Sequence, residues 1–326
     1  MELKMLREAF GDALVELGEE YPSLVVLDAD ISSSLKTGEF ARKFPERHIN
    51  FGVAEQNMLM GAAGLATTGL IPLACTYATF ASMRACEQIR SLICYPKLNV
   101  KVIVTHGGIE VGWDGPTHQA TEDIAMMRSI PNMTVIVPAD ATAVYALLKQ
   151  AIELKGPVYF RMGRNPVPVI YGQKQEFILG KAINLREGGC VLLVATGIMV
   201  AIALQTADKL VDKGIHCSVI DMHTIKPLDT DTLITAAKSA QLVVTLEDHN
   251  IIGGLGGAIA ECLSENLPRP LIRIGVRDTF AESGDPKELF KKYQMDAESV
   301  VGFITKYYGE RNESINYNKR GTYRSN

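Results

Sequence analysis

The sequence predicts an α/β protein of two domains, each a mostly parallel sheet with helical crossovers. Short β-branched runs alternate with helix-period stretches along most of the chain, and that alternation is the mark of βα units. The rhythm breaks once, over the turn-rich residues 171–189. The length, 326 residues, suits about two ordinary domains. The expected division is an α/β domain at 1–172, a smaller one at 173–308 and a polar tail at 309–326, read as a mobile tail in preference to a docking arm.

The elements follow in order. Met5, Leu6, Ala9, Phe10, Ala13, Leu14 and Leu17 recur with the period of one buried helix face. Residues 24–27 (LVVL) read as a buried strand leading to Asp28 and Asp30. Further strands are expected at 70–75, 100–105, 133–137 and 157–160, with helices between them at 55–68, 78–94, 119–129 and 141–154. Beyond the break, strands are expected near 190–195, 216–221, 241–246 and 270–275. Helices are expected near 198–213, 228–238, 254–265, 286–293 and 296–308.

Composition excludes several classes. With 47% hydrophobic and 21% charged residues, the chain is neither disordered nor disulfide-stapled. A net charge of -4 offers no clustered basic surface for nucleic acid or membranes. The longest apolar stretch, 191–204, is too short to cross a bilayer. The amphipathic, acid-bearing start MELKMLREAFGDALVEL is not read as a signal peptide. Six cysteines lie scattered without a C-x-x-C pair, as expected of free thiols in a cytoplasmic protein.

Three clusters could carry chemistry. The first is 51–61, FGVAEQNMLMG, where Glu55 opens an otherwise apolar helix. Such an acid can simply complement the helix dipole. It can equally be a proton-handling group, because apolar surroundings disfavour a bare carboxylate unless it is paired. The second is 105–119, THGGIEVGWDGPTHQ, which follows a strand and so lies where open α/β sheets bind ligands. It holds His106, Asp114, His118 and the single tryptophan, Trp113. The spacing of its histidines matches no helical or hairpin ligand pair, so it is not read as a metal site. The third is 76–80, TYATF, whose aromatics Tyr77 and Phe80 could be core or a ring-binding wall. Arg161 and Arg164 follow the last strand of the first domain and are either solvated or anion-binding. The loop GGLGG at 253–257 lacks the third glycine of a dinucleotide fingerprint.

The strings LDADISSS (27–34), FGVAEQNM (51–58), TYATFASMRACEQIR (76–90) and THGGIEVGWDGPTHQATEDIAMMRSIPNM (105–133) resemble the C-terminal part of transketolases over about residues 5–308, and the small subunits of split transketolases in particular. The resemblance implies a pyrimidine-binding parallel sheet with helices on both faces, followed by a smaller transketolase C-terminal-type domain. It implies thiamine diphosphate as cofactor, with Glu55 at a ring nitrogen of the aminopyrimidine, where it promotes loss of the C2 proton. Tyr77 and Phe80 would flank that ring, with Asp30 nearby. Met83 stands where many transketolases have a further tyrosine. Asp114 would bond a sugar hydroxyl, and His118 would move protons on substrate oxygens. Arg7, Ser34, His106 and Arg161 would grip the sugar phosphate, and Arg164 has no assigned role.

The family's G-D-G diphosphate motif does not occur: Gly11-Asp12 and Gly284-Asp285 are followed by Ala13 and Pro286. The resemblance therefore implies a separate N-terminal transketolase subunit supplying the diphosphate site and the ligands of Mg2+ or Ca2+. It also implies an α2β2 heterotetramer. The implied activity is transfer of a two-carbon ketol unit between sugar phosphates, as in the pentose phosphate pathway. The alternatives are a deoxyxylulose-phosphate synthase-like or 2-oxoacid dehydrogenase β-like subunit, a transketolase for unusual or sulfonated sugars, and a non-catalytic scaffold.

Overall fold

The computed structural model describes residues 2–321, with side chains through residue 309. A seven-stranded sheet runs in the order Thr224–Lys226, Thr134–Ile136, Val158–Arg161, Lys101–Thr105, Ile71–Tyr77, Leu24–Asp28, His48–Asn50. Every pairing in it is parallel except that of Thr224–Lys226. A five-stranded sheet runs Leu271–Val276, Leu242–Asn250, Val191–Ala195, Cys217–Asp221, Ile183–Arg186, with only the last strand antiparallel. The expected parallel α/β architecture in two layers systems is therefore present.

Successive side chains of a strand point to opposite faces, and here both faces are apolar. Leu24 and Val26 enter one core while Val25 and Leu27 enter another; Val191 and Leu193 alternate in the same way with Leu192 and Val194. Helices must cover both faces of such a sheet. Each core continues from the first sheet into the second. Local chemistry sets the helix starts. Asp140 accepts from the Ala143 amide at 2.9 Å and begins Ala141–Glu153, while Asp285 with Pro286 behind it begins Pro286–Lys292.

Five strands differ from expectation. Leu3–Met5 pairs antiparallel with Pro166–Pro168, so the first helix begins at Leu6. His48–Asn50 extends the edge of the first sheet. Ile183–Arg186 is a strand inside the turn-rich stretch. Thr224–Lys226 leaves the second half of the chain and joins the first sheet. All are short or at sheet edges, where periodicity carries little signal. The stretch 78–94 is helical but π-wound over Phe80–Arg84 and Gln88–Cys94, a winding that recurs at functional sites. The expected helix 119–129 shortens to Asp123–Ser129, because Ala120 is bridged to Gly107. The last helix, Ala297–Gly321, runs beyond the expected end at 308 into the polar tail; residues 322–326 lie outside the described residues. No described helix is long and apolar enough to cross a membrane.

Candidate functional site

The strand ends of the first sheet collect most of the candidate residues into one continuous wall. At one end, Glu55 opens the helix Glu55–Ala66 and is 2% exposed. Its polar partner is Arg84, whose Nη1 lies 2.8 Å from Oε2. The same guanidinium lies 4.2 Å from the centre of the Phe80 ring. Arg84 follows Phe80 by four residues, one helical turn on.

The rings carry the wall onward. Phe80 meets Tyr77 edge-on at 5.7 Å and His118 at 5.2 Å. Tyr77 lies 5.7 Å from His118 and 4.4 Å from His106. The Tyr77 hydroxyl shares a 2.8 Å hydrogen bond with Ser34, and Arg7 donates to the Ser34 carbonyl at 3.2 Å. Nε of Arg7 is a buried donor without a partner.

His106 is held neutral. Burial first, then the charges of Arg164 and Arg7, push its pKa down to about 3. Its Nε2 faces Asp114 at 3.7 Å, too far for a hydrogen bond. Asp114 instead accepts from Arg164 at 3.1 Å. That bond gives Arg164 the place that the sequence left open. Its backbone amide and that of Asn165 also bond to Glu110. Burial pushes the Glu110 carboxyl up to about 7, against those opposing amides.

Two expected site residues stand apart. Asp30 is exposed and its hydrogen bonds run to Asn50. Arg161, read from sequence as a phosphate grip, is 4% exposed. Its Nε pairs with Asp123 at 2.7 Å, and its Nη2 donates to the carbonyls of Ala120 and Asp248. The guanidinium is committed to the interior, and a Cβ on Gly107 would lie 2.5 Å from it. A strand-end arginine looks the same in sequence whether it props a loop or faces solvent, so position alone could not separate Arg161 from Arg164. Arg84 was also missed, although a buried acid requires a cation or donors nearby. The GGLGG loop holds no foreign anion site. Glu247 accepts from the Leu255 and Gly256 amides at 2.6 and 2.8 Å, occupying that helix start itself.

Comparison with known proteins gives the class first: residues 3–169 match the pyrimidine binding domain of transketolase, and residues 180–300 match the transketolase C-terminal domain. The chain belongs to the transketolase family. It is 50% identical over 301 residues to a chain of Methanocaldococcus jannaschii described as a transketolase C-terminal section, covering 91% of this chain and 94% of that one. It is 43% identical over 301 residues to a 6-deoxy-6-sulfo-D-fructose transketolase subunit of a Clostridium species, covering 92% and 94%. A solved split-gene transketolase, described as an inactive β4 tetramer, superposes with a TM-score of 0.86 at 51% identity, covering 93% of this chain and 97% of that one.

Proposed function

We propose that this chain is one subunit of a two-component transketolase that moves a two-carbon ketol unit from a ketose phosphate to an aldose phosphate. The wall from Glu55 to Arg7 carries the reading. It sets a buried acid and aromatic rings at one end, a histidine and an aspartate in the middle, and two arginines at the other.

The residues present fit thiamine diphosphate at the first end. A planar nitrogenous group, the Arg84 guanidinium, already bonds Glu55 and lies over Phe80. An aminopyrimidine ring offers the same two features, a face to stack and a nitrogen to bond. Arg84 has to release Glu55 for that exchange. When bound, the cofactor supplies the nucleophilic carbon and the electron sink for carbon–carbon cleavage. Glu55 holds the proton at the ring nitrogen, and Phe80 and Tyr77 fix the ring. Asp30 is retained only as a neighbour of that end. The diphosphate and its Mg2+ or Ca2+ are assigned to a partner subunit, in an α2β2 assembly, because the sequence carries no G-D-G motif.

The remaining residues suit a phosphorylated sugar. His118 moves protons at substrate oxygens, and Asp114 bonds a hydroxyl beside the reacting carbonyl. A site built for that hydroxyl rejects substrates without it, which favours sugars over pyruvate. The terminal anion falls to Arg7, with its unpartnered Nε, and to Arg164, Ser34 and the neutral His106. Arg164 takes the role first read for Arg161.

Reconstitution with the partner subunit and a donor panel tests this. Turnover of xylulose 5-phosphate without turnover of pyruvate is expected; the reverse pattern rejects the reading. The 43% identical sulfosugar relative gives one further arm. Preference for 6-deoxy-6-sulfo-D-fructose keeps the chemistry and moves the terminal anion from phosphate to sulfonate.

A further inference from the structure

The turn that bears Asp114 is held from the other half of the chain. Strand Leu242–Asn250 of the second sheet carries Glu247, Asp248 and His249, all buried. The Asp248 carboxylate accepts from the backbone amides of Ile109, at 2.9 Å, and Glu110, at 3.2 Å. Those two residues open the turn Ile109–Asp114. The Asp248 carbonyl accepts from Arg161 at 2.9 Å, which ties the same strand to Asp123 and Ala120.

The approach is close enough to dictate the loop. Gly108 has φ +87, and a Cβ there would lie 2.0 Å from Asp248 Oδ2. His106, two residues earlier, is a non-glycine at φ 63. Backbone in such regions persists only where the surroundings over-determine it. Burial raises the Asp248 carboxyl to about 6, so keeping an acid here is costly and the two amides and Arg161 offset that cost.

We propose that Asp248 is a positioning residue for sugar recognition: by fixing the first amides of the turn it sets where Asp114 meets a substrate hydroxyl and where His106 meets the terminal anion. The second sheet then shapes the substrate end without touching substrate. This rests on the ketol-transfer reading.

Trp113 gives a test independent of turnover. It is the single tryptophan, lies within the turn and is 68% exposed. Quenching is read on this full chain alone, where Trp113 is the single indole, and kinetics on the reconstituted complex; Asp248→Ala is compared with Asp248→Asn, which keeps one acceptor. Gly108→Ala presses on the same contact from the opposite side. Each variant is expected to change acrylamide quenching of Trp113 and to raise the ketose-phosphate KM about 10- to 100-fold, the scale of an ångström-level misplacement. The fall in kcat should be smaller, Asp248→Asn should be milder than Asp248→Ala, and affinity for thiamine diphosphate, read by calorimetry, should stay within about twofold. The proposal is overturned if Trp113 quenching and KM stay at wild-type values. It is equally overturned if KM rises only together with matching falls in kcat, cofactor affinity and melting temperature. Should the wild-type complex transfer no ketol unit, the function reading fails, and Trp113 quenching alone decides whether Asp248 fixes the turn.

Discussion

Among the described residues Glu55 has one polar partner, a half-exposed arginine, whereas Asp114 sits on a turn bonded through buried carboxylates to two other stretches of chain. The acid end is built from two neighbouring helices of the first domain and keeps few internal bonds. The Asp114 turn, the proposed sugar end, is braced by Asp248 from the second sheet and, through Glu110, by the segment after Val158–Arg161. The difference teaches where the molecule invests order. On the proposed reading, an acid that exchanges one partner for a cofactor ring is left with a replaceable one, and an aspartate that recognises a hydroxyl at fixed distance is organised before substrate arrives.

The sharpest way to break the comparison is to remove the acid. Glu55→Ala should lower ketol transfer in the reconstituted complex by about 10²–10⁴-fold, the range for a proton-handling side chain. Steady-state rates that stay near wild type would leave the acid end without a role.

On the proposed reading, the two arginines that end and follow strand Val158–Arg161, Arg161 and Arg164, separate bracing from recognition. Arg161→Met strips the buried Asp123 of its ion pair and should cost about 3–5 kcal/mol in urea unfolding. Arg164→Met should leave stability within about 1 kcal/mol, since its pair with Asp114 is partly exposed. It should instead raise the KM for phosphorylated donors about 10- to 100-fold. An exchange of these two outcomes would restore Arg161 as the anion grip.

Acid–base linkage tests the bracing at the sugar end. Burial raises the folded Glu110 carboxyl to about 7, above its ordinary value of 4.5. The folded chain then binds more protons than the unfolded chain between those values. Its contribution to stability is fully present below the lower value and is lost as pH rises through the upper one. Glu110→Gln should therefore flatten the fall in melting temperature between about pH 4.5 and 7. An unchanged slope would refute the assignment.

The smallest effect belongs to Arg84. Arg84→Met removes the competitor for Glu55 and should tighten thiamine diphosphate binding about fivefold, the worth of a half-exposed ion pair. Calorimetry of the complex reads this directly; weaker binding would show that Arg84 helps to hold the cofactor.

Much of this was legible in the residues alone. The alternation of β-branched runs and helical periods fixed the α/β class and located the long buried strands, because burial on both faces leaves a continuous apolar signature. The strings around Glu55, Tyr77, Phe80, Asp114 and His118 marked the wall, because their side-chain chemistry is local. The short edge strands were not legible, since three or four residues carry no usable period. Nor were Arg84, Glu110 and Asp248 as partners of the candidate residues, nor the fact that Arg161 pairs with Asp123 in the interior while Arg164 bonds Asp114. Those depend on which groups the folded backbone brings within 3 Å across separations such as the 139 residues between Ile109 and Asp248. Sequence determined which chemical groups the protein owns and the period with which they are buried. Only the tertiary structure decided which charges meet, because pairing and desolvation are properties of neighbours in space.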